Sequence, residues 1–246
     1  MANALPVRSP DEILYPSSDG LPVAETDVHI DELLTLRTLL RIRYGDRDDV
    51  YVAGNLLVYY EEGNPAARVA PDAFVVFGVP AHNRRVFKVW EEQACPSFVM
   101  ELTSRGTWLE DVGNKKALYA RLGVEEYFMF DPEADYLVPP LQAQRLLEGE
   151  YRPLEPRADG GIESRVLGVV FHRDGQRLKV VDAATGATLL RPLETHSALV
   201  EAERAKVEAE RAKAEAERAK VDAEQRTRDA EAETARLREE LAALRR

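Results

Sequence analysis

Three ionisable residues stand where a folded chain ordinarily buries only carbon. Asp72 lies in the run VAPDAFVVF, and Glu101 lies inside FVMELTS. Lys115 shares a helical stripe with Val112, Leu118, Tyr119 and Leu122 in EDVGNKKALYARLGV. A strand with large apolar residues on both sides reads as buried, and an ionised carboxylate there is costly unless paired or bound to metal. Two such acids on neighbouring strands can share a divalent cation, and hard carboxylate oxygens suit Mg (or Mn). Magnesium keeps positions for water and phosphate oxygens, which is the chemistry of phosphodiester hydrolysis. Each residue also has an ordinary reading. Asp72 after Pro71 can be a turn acid, Glu101 a structural partner of Lys115, and Lys115 a snorkelling side chain. The three together are more specific than any one alone.

The elements that must position them follow from periodicity. ETDVHIDELLTLRTLLRIRYG predicts a helix, with Ile30, Leu33, Leu34 and Leu40 at helical spacing and Gly45 beyond its end. Strand-like runs occupy 49–63, 67–80 and 96–104, a helix with a glycine stop occupies 110–124, and EEYFMFDP (125–132) is a core strand. The order is helix, strand, strand, strand, helix, strand. Alternation puts Glu101 and Thr103 on one face with Val99, and Met100 and Leu102 on the other. From there to about Pro192 short strands alternate with DG and TG turns, read as a small β extension of the same domain.

The motifs Pro71-Asp72, Glu101-Leu102-Thr103 and Lys115-(x3)-Tyr119-(x3)-Gly123-Val124-(x2)-Tyr127-(x3)-Asp131-Pro132 resemble the Uma-two family of restriction-endonuclease-like proteins, over roughly residues 25–135. That family sits in the PD-(D/E)XK superfamily. The resemblance implies an α/β fold with a restriction-endonuclease-like αβββαβ core. It implies a metal-dependent DNA endonuclease in which Asp72 and Glu101 are the metal ligands. The superfamily lysine would fall at Thr103, and the resemblance assigns its role to Lys115 on the following helix, polarising water or steadying the phosphate. Glu25 and His29 match positions often occupied in the family and are expected, with Thr103, around the site. His29 also reads as an ordinary helix-surface histidine.

The chain then divides into an N-terminal extension (1–24), the nuclease-like core (25–135), a β-rich extension (136–196) and a charged helix (197–246). That last segment lacks Gly, Pro and aromatic residues and repeats AERAKVE, AERAKAE, AERAKVD over 202–222. Alanine at the first and fourth positions makes a heptad seam, but one that buries little surface. A lone charged helix and a coiled coil with itself or a partner both fit. Of the net charge of -11, the tail carries -1 (13 acidic, 12 basic residues), leaving -10 on the first 196. An acidic body suits a phosphate polymer poorly. The visible basic clusters are Arg41, Arg43 and Arg47, and Arg84, Arg85 and Lys88. An inactive nuclease fold serving as a binding module, assembled through its helical tail, is therefore the alternative function. One Cys excludes an intramolecular disulfide, four isolated His give no zinc spacing, and no apolar run approaches the roughly 20 residues of a membrane span. A cytoplasmic protein acting on DNA, with no membrane contact, is the expectation.

Overall fold

The computed structural model describes residues 13–18 and 26–244, so Glu25 lies outside the described residues. Helix α1 (Asp27–Arg43) leads into β1 (Val50–Ala53), β2 (Val58–Tyr59), β3 (Arg68–Val69), β4 (Ala73–Phe77) and β5 (Phe87–Lys88). The single turn α2 (Val89–Glu92) and β6 (Phe98–Leu102) follow. Next come the short α3 (Trp108–Glu110), a π-helical turn (Asp111–Lys115), α4 (Lys116–Leu122) and β7 (Glu126–Phe130). Strands β8 (Leu141–Leu147), β9 (Glu150–Pro153), β10 (Ile162–Ser164), β11 (Val169–Asp174) and β12 (Arg177–Asp182) precede the long α5 (Pro192–Leu244). The chain divides into two units, Met1–Pro192 and Leu193–Arg246.

One six-stranded sheet, ordered β1-β4-β6-β7-β8-β9, carries the first unit. β1, β4 and β6 form an antiparallel meander, and β6 pairs with β7 in parallel. A parallel pair needs a crossover, which the helical segment 108–122 supplies. With α1 in front, this is the αβββαβ order of a restriction-endonuclease-like core. β6 and β7 are buried along their whole length, as central strands covered on both faces must be.

Alternation divides the core in two. Phe98, Met100, Leu102, Phe128 and Phe130 pack toward Leu36, Leu39 and Leu40 of α1 and toward Phe171, Leu178 and Val180 of a second sheet, β10-β11-β12. Val99, Tyr127 and Met129 pack on the other face with Phe74, Phe87 and Tyr119.

Two expectations from the sequence need correction. The run 49–63 is not one strand: β1 stops at Ala53, and β2 joins a separate small sheet, β3-β2-β5. The chain bends at Gly54 and Asn55, where Asn55 takes a left-handed φ of 49° that a continuing strand cannot hold. The buried face of α1 also differs, since Ile30 and Leu34 are exposed while His29, Glu32, Leu36, Leu39 and Leu40 are buried. Glu32 tolerates burial because its Oε2 accepts from the Leu178 backbone N–H at 2.9 Å and its Oε1 meets Arg191 at 2.5 Å. α5 is a continuous helix whose heptad seam is exposed within its own unit. Among the described residues no helix is long and apolar enough to cross a membrane.

Candidate active site

Ala73 pairs with Met100 in antiparallel register, so Asp72, one residue before β4, falls opposite Glu101 on β6. The two residues are tied reciprocally. The Leu102 backbone N–H donates to Asp72 Oδ2 at 2.8 Å, and the Asp72 backbone N–H donates to Glu101 Oε2 at 3.3 Å. Gly54 lets β1 approach this end of β4, and the Asn55 N–H bonds the Pro71 carbonyl at 2.9 Å. The PD dipeptide is thus held by backbone contacts on both sides.

Lys115 arrives from the crossover helix. Its Nζ lies 3.1 Å from Glu101 Oε2 and 2.9 Å from Asp111 Oδ1. The expectation that it finds an acid is met twice over. The stripe that carries it is not the expected one, because Val112 is exposed and Asp111 is fully buried. The π-helical turn is the reason. Wider turns space the inward residues four apart, at Asp111, Lys115 and Tyr119, where a regular helix would turn Val112 inward. Asp111 is the acid the sequence reading missed, and its signal was its place four residues before a lysine on an apolar stripe.

Tyr119 belongs to both the helical stripe and the motif. Its hydroxyl donates to Glu101 Oε1 at 2.6 Å, and the Tyr127 hydroxyl donates to the Asp111 carbonyl at 2.9 Å. Burial, with the nearby carboxylates, holds both phenols well above their ordinary range, so both stay donors. His29 is not on the helix surface: it is 4% exposed, with Nε2 3.7 Å from Asp72 Oδ2. Thr103 is buried, its N–H bonds the Phe130 carbonyl at 2.7 Å, and among the described residues its hydroxyl has no hydrogen-bond partner. Asp131, another motif residue, folds its own loop by accepting from the N–H groups of Ala134, Tyr136 and Leu137.

The electrostatics follow from three acids around one cation. Glu101 is 0% exposed, and burial pushes its carboxyl up to about 8, with Asp72 and Asp111 adding to the rise and Lys115 and Tyr119 opposing it. Burial likewise raises Asp111 against the pull of Lys115. Burial works to lower the Lys115 ammonium, but Glu101, Asp111 and Asp72 outweigh it and the net direction is up. Fully ionised, Asp72, Glu101, Asp111 and Lys115 carry two negative charges in excess. A hard divalent cation fits that donor chemistry and that charge. Asp72 and Glu101 would hold it, Asp72 being the more open at 20% exposure. Among the described residues no group of three or more His, Cys, Asp or Glu is placed to hold a metal.

The profile of one protein family, Uma2, described as "Putative restriction endonuclease", matches residues 11–180. A solved structure of a putative nuclease belonging to DUF820 from Anabaena variabilis ATCC 29413 is similar at 12% identity and a TM-score of 0.44. That match covers 59% of this chain and 76% of the other. No curated protein matches.

Proposed function

The chain belongs to the Uma2 family of putative restriction endonucleases, and from that premise we propose that it is a metal-dependent DNA endonuclease acting at Asp72, Glu101 and Lys115. The observation that carries the reading is the convergence of Glu101, fully buried on β6, with Lys115 at 3.1 Å and the backbone of Asp72 at 3.3 Å. Such an arrangement is costly to maintain for stability alone, because replacing buried charges with apolar residues is often neutral or stabilising.

In this reading Asp72 and Glu101 hold Mg or Mn, which when bound supplies charge neutralisation at the phosphate and a more acidic water. Tyr119 and the Asp72 N–H fix the Glu101 carboxylate so that it presents one orientation. Lys115, held between Glu101 and Asp111, keeps its ammonium charged beside the site, where it can donate to a phosphoryl oxygen as negative charge develops. Purified protein with supercoiled plasmid and magnesium or manganese is expected to nick it. Asp72→Ala and Glu101→Gln are expected to abolish nicking, and full activity in either variant overturns the assignment.

A second reading is favoured by one observation: Glu101 is wholly inaccessible and both of its oxygens are engaged. A nuclease fold retained as a binding module, assembled through α5, would show this closed site as its resting form. It is expected to give no cleavage with any divalent ion, and the number of chains per particle is expected to change when residues 197–246 are removed.

A further inference from the structure

Four of the six residues in the basic clusters visible in the sequence, Arg43, Arg47, Arg84 and Lys88, are ion-paired within the protein. Arg84 grips Glu92 at 2.6 and 2.7 Å, and Lys88 meets Glu91 at 2.7 Å. Arg43 meets Asp182 at 2.6 Å and Arg47 meets Asp49 at 2.6 Å. Arg68 of β3 and Arg121 of α4 are different. Neither makes an ion pair among the described residues; Arg68 only donates to the Pro65 carbonyl at 2.9 Å. Both line one groove of about 430 Å³, together with Tyr60, Asn114, Glu110 and Lys115.

Lys115 joins this groove to the candidate active site, because the side chain that lines the groove ends 3.1 Å from Glu101. A polyanion meeting a body of net charge -10 is repelled nearly everywhere. It settles where cations outnumber acids and low-dielectric walls concentrate their field. Two arginines that make no ion pair among the described residues, against one glutamate, make such a place. Guanidinium is also the group best shaped for phosphate, being planar, weakly hydrated and able to donate two parallel hydrogen bonds.

We propose that this groove holds the DNA backbone alongside the scissile phosphate, with Arg68 and Arg121 each contacting a phosphate on the Lys115 side of the site. The assignment rests on the nuclease reading and names the path by which the substrate strand reaches it.

The test uses the full chain and a fluorescently labelled 30-base-pair duplex in EDTA, so that binding is measured without cleavage. The R68A/R121A double variant, with an unchanged circular dichroism spectrum, is expected to bind at least ten-fold more weakly at low salt. Its slope of log affinity against log salt is expected to flatten by about 1.8, at roughly 0.9 per lost phosphate contact. R68K/R121K, which keeps both charges, is expected to retain the wild-type slope. Unchanged affinity and slope in R68A/R121A, or no duplex binding by the wild type, overturns the groove. Nicking by the same preparations separates the two ideas. Arginine-dependent binding without nicking leaves the groove standing and removes the nuclease reading, whereas nicking that ignores both arginines does the reverse.

Discussion

Tyr119 donates its phenolic hydrogen to Glu101 at 2.6 Å from a position 18 residues further along the chain. The bond connects the crossover helix to the central strand at a carboxylate the sheet buries completely. Tyr119→Phe removes that donor and leaves Glu101 Oε1 buried without it. A loss of about 1–3 kcal/mol is expected, measured by urea denaturation at neutral pH. The Glu101 carboxyl is expected to rise further, which a shift of any activity profile to higher pH would register.

Lys115 sits between two buried acids, so its removal leaves charge without compensation. Lys115→Met is expected to cost about 3–5 kcal/mol at high pH. Near pH 5 the same variant is expected to lose much less, because Glu101 already holds a proton there and Asp111, raised by burial, can take one up. Urea melts at pH 5 and pH 9 check the difference. An equal loss at both would show that the ammonium is not what keeps these acids ionised.

Glu101 also sets a pH dependence of folding. Its carboxyl stands at about 8 when folded against an ordinary 4.5, so between those values the native state holds a proton that the unfolded chain has released. Stability from this residue is full below about pH 4.5, falls as pH rises toward 8, and levels off above it. The slope is at most about 1.4 kcal/mol per pH unit. In magnesium-free buffer, melting temperature against pH is expected to show this decline, and Glu101→Gln to flatten it.

Gly54 gives a prediction away from the ionisable groups. Its close approach to the Asp72 carbonyl leaves no room for a methyl group, and backbone cannot rotate aside as a side chain can. Gly54→Ala is expected to destabilise by about 1–3 kcal/mol and to reduce nicking by displacing Asp72. Full stability together with full activity would show that this contact positions nothing.

Thr103 works in the opposite sense. Its buried hydroxyl has no partner among the described residues, so Thr103→Val is expected to leave stability unchanged or slightly raised in thermal denaturation. A loss of nicking without a loss of stability would then locate a substrate contact at that hydroxyl.

The αβββαβ order and the face that Glu101 shares with Val99 were legible in the sequence, because both follow from short-range alternation of apolar residues. What was not legible depended on contacts distant in sequence or on departures from regular geometry. Glu32 reads as a surface acid until Leu178 and Arg191 arrive more than 140 residues later. His29 reads the same way until Asp72 is folded beside it. Asp111 was hidden because a 3.6-residue period cannot anticipate a π-helical turn. The clusters at Arg41–Arg47 and Arg84–Lys88 stood out as charges, but the sequence could not show that Arg43, Arg47, Arg84 and Lys88 have acidic partners.

The second sheet has a consequence for any attempt to isolate the nuclease-like core. Phe128 and Phe130 of β7 pack on the face that also receives Phe171, Leu178 and Val180. Glu126 on the same strand bonds Ser164 and Arg145. A fragment ending at Pro132 would present a broad wet aromatic wall and two stranded acids, Glu32 and Glu126, to bulk solvent. A version of the core that keeps these contacts therefore has to run through Arg191.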